Sequence, residues 1–170
     1  MARAMEPLVG HRLTRAIFVV LSLACASWRA WAGLEIEWSS QINVDRIVGL
    51  QLDAQTNTFV LGSVGSAGFR LVKIDVTGHQ LWAVSGLGPP QVLAVNGLGE
   101  SVVCDTWWVT KYNPAGDVLW QRAIGGGVSP NAAVLDAGGN VIVGGYQVLI
   151  KWGPDGVLAG SGLRYGVDSA

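Results

Sequence analysis

Short apolar runs recur along this chain between turn residues, and few of them alternate with polar positions. Phe59-Val60-Leu61, Ser101-Val102-Val103 and Val141-Ile142-Val143 are mostly β-branched or aromatic, and apolar residues fall on both faces. That pattern predicts short strands packed on both sides, because an exposed sheet would alternate apolar with polar. Between the runs stand Asp53-Ala54-Gln55-Thr56-Asn57, Asn96-Gly97-Leu98-Gly99, Asn113-Pro114-Ala115-Gly116 and Gly153-Pro154-Asp155-Gly156. These are tight-turn sequences, with an unhindered residue or Pro near the start and Gly near the end. In the best-defined stretch the spacing predicts four strands, over residues 91–96, 100–105, 107–113 and 117–124. Residues 33–42 do alternate, with Leu34, Ile36 and Trp38 against Glu35 and Glu37, and read as one further, half-buried strand. No helical period with caps occurs beyond Ala32, so the expected class is all-β.

The strands belong to a repeat. Lys111-Tyr112-Asn113-Pro114-Ala115-Gly116-Asp117-Val118-Leu119-Trp120 has a relative in Lys73-Ile74-Asp75-Val76-Thr77-Gly78-His79-Gln80-Leu81-Trp82. A third copy runs from Lys151 through Gly156 to Leu158, with Ala159 standing in for the tryptophan. Lys73, Lys111 and Lys151 are the only lysines, and they recur at near-equal intervals. Trp38, Trp82 and Trp120 follow the same beat. Four antiparallel strands per roughly 40 residues is the signature of a β-propeller blade. A β-sandwich would also have short, regular strands, but it would not require lysine, glycine and tryptophan to recur in step. The expected architecture is therefore about three four-stranded blades, at residues 44–86, 87–126 and 127–164, plus one extra strand. Such a ring is incomplete, and open blade edges are a liability, so the chain is read as a fragment of a longer propeller, with self-association through the open edges or a capping partner as the alternatives.

The stretch from Met1 to Ala32 follows a different pattern. Arg3, Arg12 and Arg15 precede an apolar segment over residues 16–26, and Ala30-Trp31-Ala32 follows. A basic start, a short apolar middle and a small-x-small triplet describe a secretory signal peptide, expected to be helical and cleaved after Ala32. The apolar segment is too short to span ~30 Å of hydrocarbon. The expected product is exported, periplasmic or extracellular, with no membrane span left. Cleavage would remove four of eleven basic and one of twelve acidic residues, leaving seven against eleven and a net charge of −4. It would also leave Cys104 as the single cysteine, so no internal disulfide is available. The absence of single-sign charge tracts argues against a nucleic-acid partner.

The unit Lys-x-Asn/Asp-x-x-Gly-x-x-Leu-Trp, followed by Ala-Val-x-Asp-x-x-Gly-Asn-Val-x-Val-x-Gly-Tyr, resembles the bacterial seven-bladed β-propeller repeat family. Asp75-Val76-Thr77-Gly78-His79-Gln80-Leu81-Trp82 is also similar to the pyrroloquinoline-quinone-type propeller repeat. The resemblance covers Ile47 to about Leu158. It implies the fold, and it implies as an alternative function a fragment of a quinoprotein-type enzyme or of its assembly factor. An active quinone site would need carboxylate and arginine ligands from more blades than this chain supplies.

Catalytic chemistry finds little material. His79 is the only histidine after the leader and sits in a turn, which excludes a histidine metal cluster or a Ser/His/Asp triad. No phosphate-binding loop or calcium loop is present. No cofactor or metal is expected, and the primary reading is a non-catalytic binding or scaffold module for a protein or carbohydrate ligand. Residues recurring in every repeat are assigned to structure: Lys73, Lys111 and Lys151, Gly78, Gly116 and Gly156, and Trp38, Trp82 and Trp120. A second reading of the lysines is a ring of cations around a central channel. Strand direction places the loops between second and third strands, and the links between blades, on one irregular face, where binding is expected. Arg70, Asp105, Trp107, Trp108 and Tyr146 are its candidate binding residues, with Asp105 alternatively capping its hairpin.

Overall fold

The computed structural model describes residues 37–159, apart from 126, 127 and 147. The expected leader and everything after Ala159 lie outside the described residues. Among the described residues the chain is all-β. The first blade is β1 (Arg46–Leu52), β2 (Thr58–Val64), β3 (Gly68–Ile74) and β4 (Gln80–Leu87), hydrogen-bonded in that order. The second is β5 (Pro90–Val95), β6 (Ser101–Asp105), β7 (Trp108–Tyr112) and β8 (Val118–Ala123). The third holds β9 (Pro130–Leu135), β10 (Val141–Gly145) and β11 (Val148–Trp152), with Trp152 also joined to Leu158 by an isolated bridge. Every pairing is antiparallel.

Each repeat forms its own sheet, and the sheets stack face to face through apolar side chains. Phe59, Leu61, Phe69 and Leu71 of the first blade bury against Leu93, Val103 and Tyr112 of the second. Val102, Cys104, Val109 and Trp120 of the second bury against Leu135, Val141, Val143 and Trp152 of the third. Alternate residues of a strand therefore serve two neighbouring blades, which is why the central strands read as apolar on both faces. This is propeller stacking, not a sandwich.

The first blade's other face carries Val60, Val72 and Ile74, and Trp38 and Ile42 pack on it. The described part of the expected opening strand, residues 37–42, forms no ladder there. Trp38 nevertheless keeps the repeat's geometry. A Cβ on Gly78 would lie 3.0 Å from Trp38, as one on Gly116 would lie 3.0 Å from Trp82 and one on Gly156 2.8 Å from Trp120. Each tryptophan is pressed on the turn glycine of the following blade. The indoles of Trp82 and Trp120 also donate across the junction, to the Pro114 carbonyl at 3.0 Å and the Pro154 carbonyl at 2.9 Å. In the third repeat the register corrects the expectation at Ala159. Leu158 pairs with Trp152 as Val118 pairs with Tyr112, so the tryptophan position falls on Gly160, not Ala159.

One face of the stack is closed by regular turns. Asp53 accepts hydrogen bonds from the Asn57 backbone (2.9 Å) and side chain (2.9 Å), and Asp136 does the same with Asn140 at 2.8 and 2.8 Å. The second blade exchanges the roles, Asn96 bonding the Glu100 backbone at 3.0 Å and its carboxylate at 2.8 Å. Neighbouring turns are laced together by Ala54 N–H to the Gly97 carbonyl (3.3 Å) and Asn96 to the Asp136 carbonyl (3.3 Å).

These turns tie stability to pH. For Asp53, burial raises the carboxyl pKa, but hydrogen bonds from Asn57 and Lys73 outweigh it and hold the pKa below the usual range. Hydrogen bonds from Asn140 lower that of Asp136. A carboxylate whose folded pKa is depressed stabilises the fold above its unfolded pKa, near ~4, and loses that contribution as pH falls through the folded value. Denaturant melts should give constant stability between about pH 5 and 7 and a fall below about pH 4, with Asp136→Asn flattening the fall.

Candidate functional site

The recurring lysines do not form a ring of cations. Lys73 lies buried with its ammonium 3.2 Å from Asp53, itself fully buried, and 4.9 Å over the Phe59 ring. Lys111 is buried with its ammonium 3.0 Å from Glu100, and it donates to the Gly139 carbonyl of the next blade at 3.1 Å. Their charges are consumed inside the turn face, where the carboxylate comes from the first turn residue in one blade and the fifth in the next. Lys151, on the last described strand, is exposed.

The opposite face is irregular, and a concave part of it surrounds the hairpin between β6 and β7. Asp105 ends β6, is almost completely buried, and accepts the backbone N–H of Trp107 at 2.7 Å and of Trp108 at 2.9 Å. The link between the first two blades lies across it, since a Cβ on Gly88 would come within 2.7 Å of the Asp105 carboxyl carbon. Asp105 thus caps its hairpin, and it does not reach solvent to orient a ligand. Its charge is the second cause, after burial, that pushes the Cys104 thiol up to about 12, so Cys104 stays a neutral packing residue.

What Asp105 fixes is the backbone under two tryptophans. Trp107 is 56% exposed and Trp108 40%. The Trp107 carbonyl accepts the Ile124 N–H at 2.9 Å, which ties the hairpin to the link leading into the third blade. Between hairpin and link lies an open cleft of about 470 Å³, lined by Thr106, Trp107, Trp108, Gly125, Val128 and Ser129 and bordered by Gln91 and Ala123. Its walls are mostly apolar, with the Gln91 amide and the Thr106 and Ser129 hydroxyls as polar points. A rigid aromatic rim with a few hydrogen-bonding groups suits a ligand that presents an apolar face and hydroxyl or amide edges.

The other two candidates lie elsewhere. Tyr146 is exposed at the β10–β11 turn of the third blade and is not part of the cleft wall. Arg70 belongs to the first blade. Its neighbours Phe69 and Leu71 point to the second blade, so strand alternation turns Arg70 to the opposite side, that of Val72. There its Nε is buried without a hydrogen-bond partner among the described residues. The sequence alone does not single out Gln91 and Ala123. Both are strand ends, and only the stacking of blades shows that they border a cleft.

Comparison with protein families finds none that matches the chain, and comparison with curated proteins finds none either. Solved structures do match. Virginiamycin B lyase from Staphylococcus aureus superposes with a TM-score of 0.57 at 9% identity, over 79% of this chain and 46% of its own. The Pan2 WD40 domain of Neurospora crassa gives 0.56 at 11% identity, over 69% of this chain and 38% of its own. BamB from Moraxella catarrhalis gives 0.51 at 22% identity, over 74% and 40%. The chain has the β-propeller fold. It spans less than half the length of each of these proteins. A lyase and a WD40 domain share the fold, so the fold alone selects no activity.

Proposed function

We propose that this chain is a non-catalytic, exported β-propeller module that binds a protein or carbohydrate ligand through the Trp107–Trp108 cleft. The observation that carries the reading is the pair of exposed tryptophans held on a hairpin whose backbone is clamped by a buried carboxylate. Exposed aromatic side chains cost solvation, and a clamped backbone spares a ligand the cost of ordering the loop. Export rests on the pattern of the segment from Met1 to Ala32, and membership of the bacterial seven-bladed repeat family rests on the repeat sequence.

The alternative, a fragment of a quinoprotein-type enzyme or its assembly factor, draws on the Asp-x-x-Thr-Gly motif. Here Asp75 accepts from the Thr77 backbone at 2.8 Å and the His79 backbone at 3.0 Å, on the turn face. Turn chemistry accounts for the motif, which supports the binding-module reading over the quinone one.

Glycan and peptide arrays probed with the purified chain and with Trp107→Ala test the site. A ligand found with the native chain should bind at least about tenfold more weakly to the variant, since truncating an aromatic anchor costs ~2 kcal/mol or more. The exposed position should leave the melting curve unchanged. Equal binding by both would move the site off this cleft. A visible spectral change on mixing with pyrroloquinoline quinone would favour the alternative.

A further inference from the structure

We infer that the ligand of the Trp107–Trp108 cleft is an uncharged saccharide, whose ring stacks on the exposed indoles while its hydroxyls meet Gln91, Thr106 and Ser129. This builds on the cleft reading proposed above and narrows its ligand. Charge decides first. Among the described residues no ionisable side chain lines the cleft. The loops around it, residues 64–68, 86–91, 106–108 and 124–130, contain no Asp, Glu, His, Lys or Arg. Arg122, next to Ala123 at the border, is drawn off: its Nε donates to the Gly156 carbonyl at 2.8 Å and its guanidinium to the Gln121 carbonyl at 3.0 Å. Under the hairpin lies the buried Asp105 carboxylate, which no ion pair among the described residues includes. An anionic ligand would lose hydration, meet no cation and approach a negative charge. A protein partner would find no charge to steer or orient it.

Size points the same way. Eight residues line the cleft, whereas a stable protein–protein interface takes ~20–30 from each side. Its volume of about 470 Å³ falls in the range of small-molecule sites. A pyranose ring offers a flat face of C–H groups and a rim of hydroxyls, which matches indole faces set beside neutral polar groups. The Gln91 amide nitrogen donates to the Pro89 carbonyl at 3.3 Å, so its oxygen is left to accept from a sugar hydroxyl. The Thr106 and Ser129 hydroxyls can each donate and accept. Hydrogen bonds exchanged with water give little net affinity, so such a ligand needs walls fixed beforehand. Both walls are fixed. Asp105 clamps the hairpin, and the link opposite is pressed on the end of β10. A Cβ on Gly145 would lie 2.7 Å from the Ser129 carbonyl oxygen and 2.7 Å from Val128 Cγ1.

Saturation-transfer NMR on the purified chain tests this, with neutral tetrasaccharides of glucose, mannose, galactose and N-acetylglucosamine beside uronic-acid oligosaccharides of matched length. At least one neutral member should bind, with transfer strongest to the C–H protons on one face of a ring. Its affinity should exceed that of the uronic-acid chains by about fivefold or more. It should fall about tenfold or more in Trp107→Ala, and about three- to tenfold in Gln91→Leu. Both positions are exposed, so both variants should keep the native melting curve. No neutral member binding at millimolar concentration, or a uronic-acid chain binding more tightly, would overturn the inference. If a peptide then bound through Trp107, the cleft reading would stand without it. Saccharide binding of equal strength in the native chain and Trp107→Ala would overturn both.

Discussion

Trp120→Ala should lower the unfolding free energy by about 3–5 kcal/mol, the usual cost of truncating a buried aromatic ring. The residue is nearly fully buried, and it joins the second blade to the third through three separate contacts. Its indole N–H reaches the Pro154 carbonyl at 2.9 Å, its ring lies 6.4 Å from that of Trp152, and its face is pressed on Gly156. Arg122 closes the junction by donating to the Gly156 carbonyl at 2.8 Å. Gly156→Ala attacks the same contact from the other side. Its φ is +75°, which costs an L-residue roughly 1–2 kcal/mol, and the added methyl would lie 2.8 Å from the indole. At Gly65, φ is +61° but nothing lies within 4 Å of an added Cβ, so Gly65→Ala should show the backbone cost alone, about 1 kcal/mol. The double variant Trp120→Ala/Gly156→Ala should lose less than the sum of the singles, since the methyl then enters space the indole has left. Strict additivity in urea melts would mean that the two residues do not meet.

Lys73→Met should cost about 3–5 kcal/mol, because it leaves the fully buried Asp53 carboxylate without its cation. Two hydrogen bonds from Asn57 remain, and they cannot replace a positive charge at 3.2 Å. The double variant Lys73→Met/Asp53→Asn should recover much of the loss, since a neutral amide carries little desolvation cost and still accepts from Asn57. Lys111→Met should cost less than Lys73→Met, because Glu100 keeps a fifth of its side chain in water and can turn outward. Equal losses in the two blades, or no recovery in the double variant, would show that the ammonium contributes through its alkyl stem and not its charge.

Much of this was legible in the residues. The spacing of lysine, glycine and tryptophan, with turn sequences between short apolar runs, predicts both the four-stranded unit and its repetition. Strand limits agree closely in the second blade, where Asn96, Asn113 and Gly116 mark the turns. These are local consequences. An Asn or Asp side chain bonds the N–H groups just ahead of it, and a glycine accepts positive φ whatever surrounds it. The loop face was legible too, because strand direction alone sorts the connections and puts Trp107 and Trp108 on the irregular side.

The tertiary structure decided which residues meet. Arg70 and Asp105 carry charges that suggest a binding site in one dimension, but strand alternation turns Arg70 away and the Gly88 link buries Asp105 under its own hairpin. The lysines recur as a ring of cations would, yet their partners shift between Asp53 and Glu100, two turn positions that only folding brings to one place. Trp38 stands in no strand among the described residues and still fills the Gly78 turn. A repeat by itself determines its own hydrogen bonds, since they close within a few positions of one another. The seats of Trp82 and Trp120 on the next blade's turn, and the reach of Lys111 to the Gly139 carbonyl, join separate repeats that are distant along the chain, and the blades' stacking sets those.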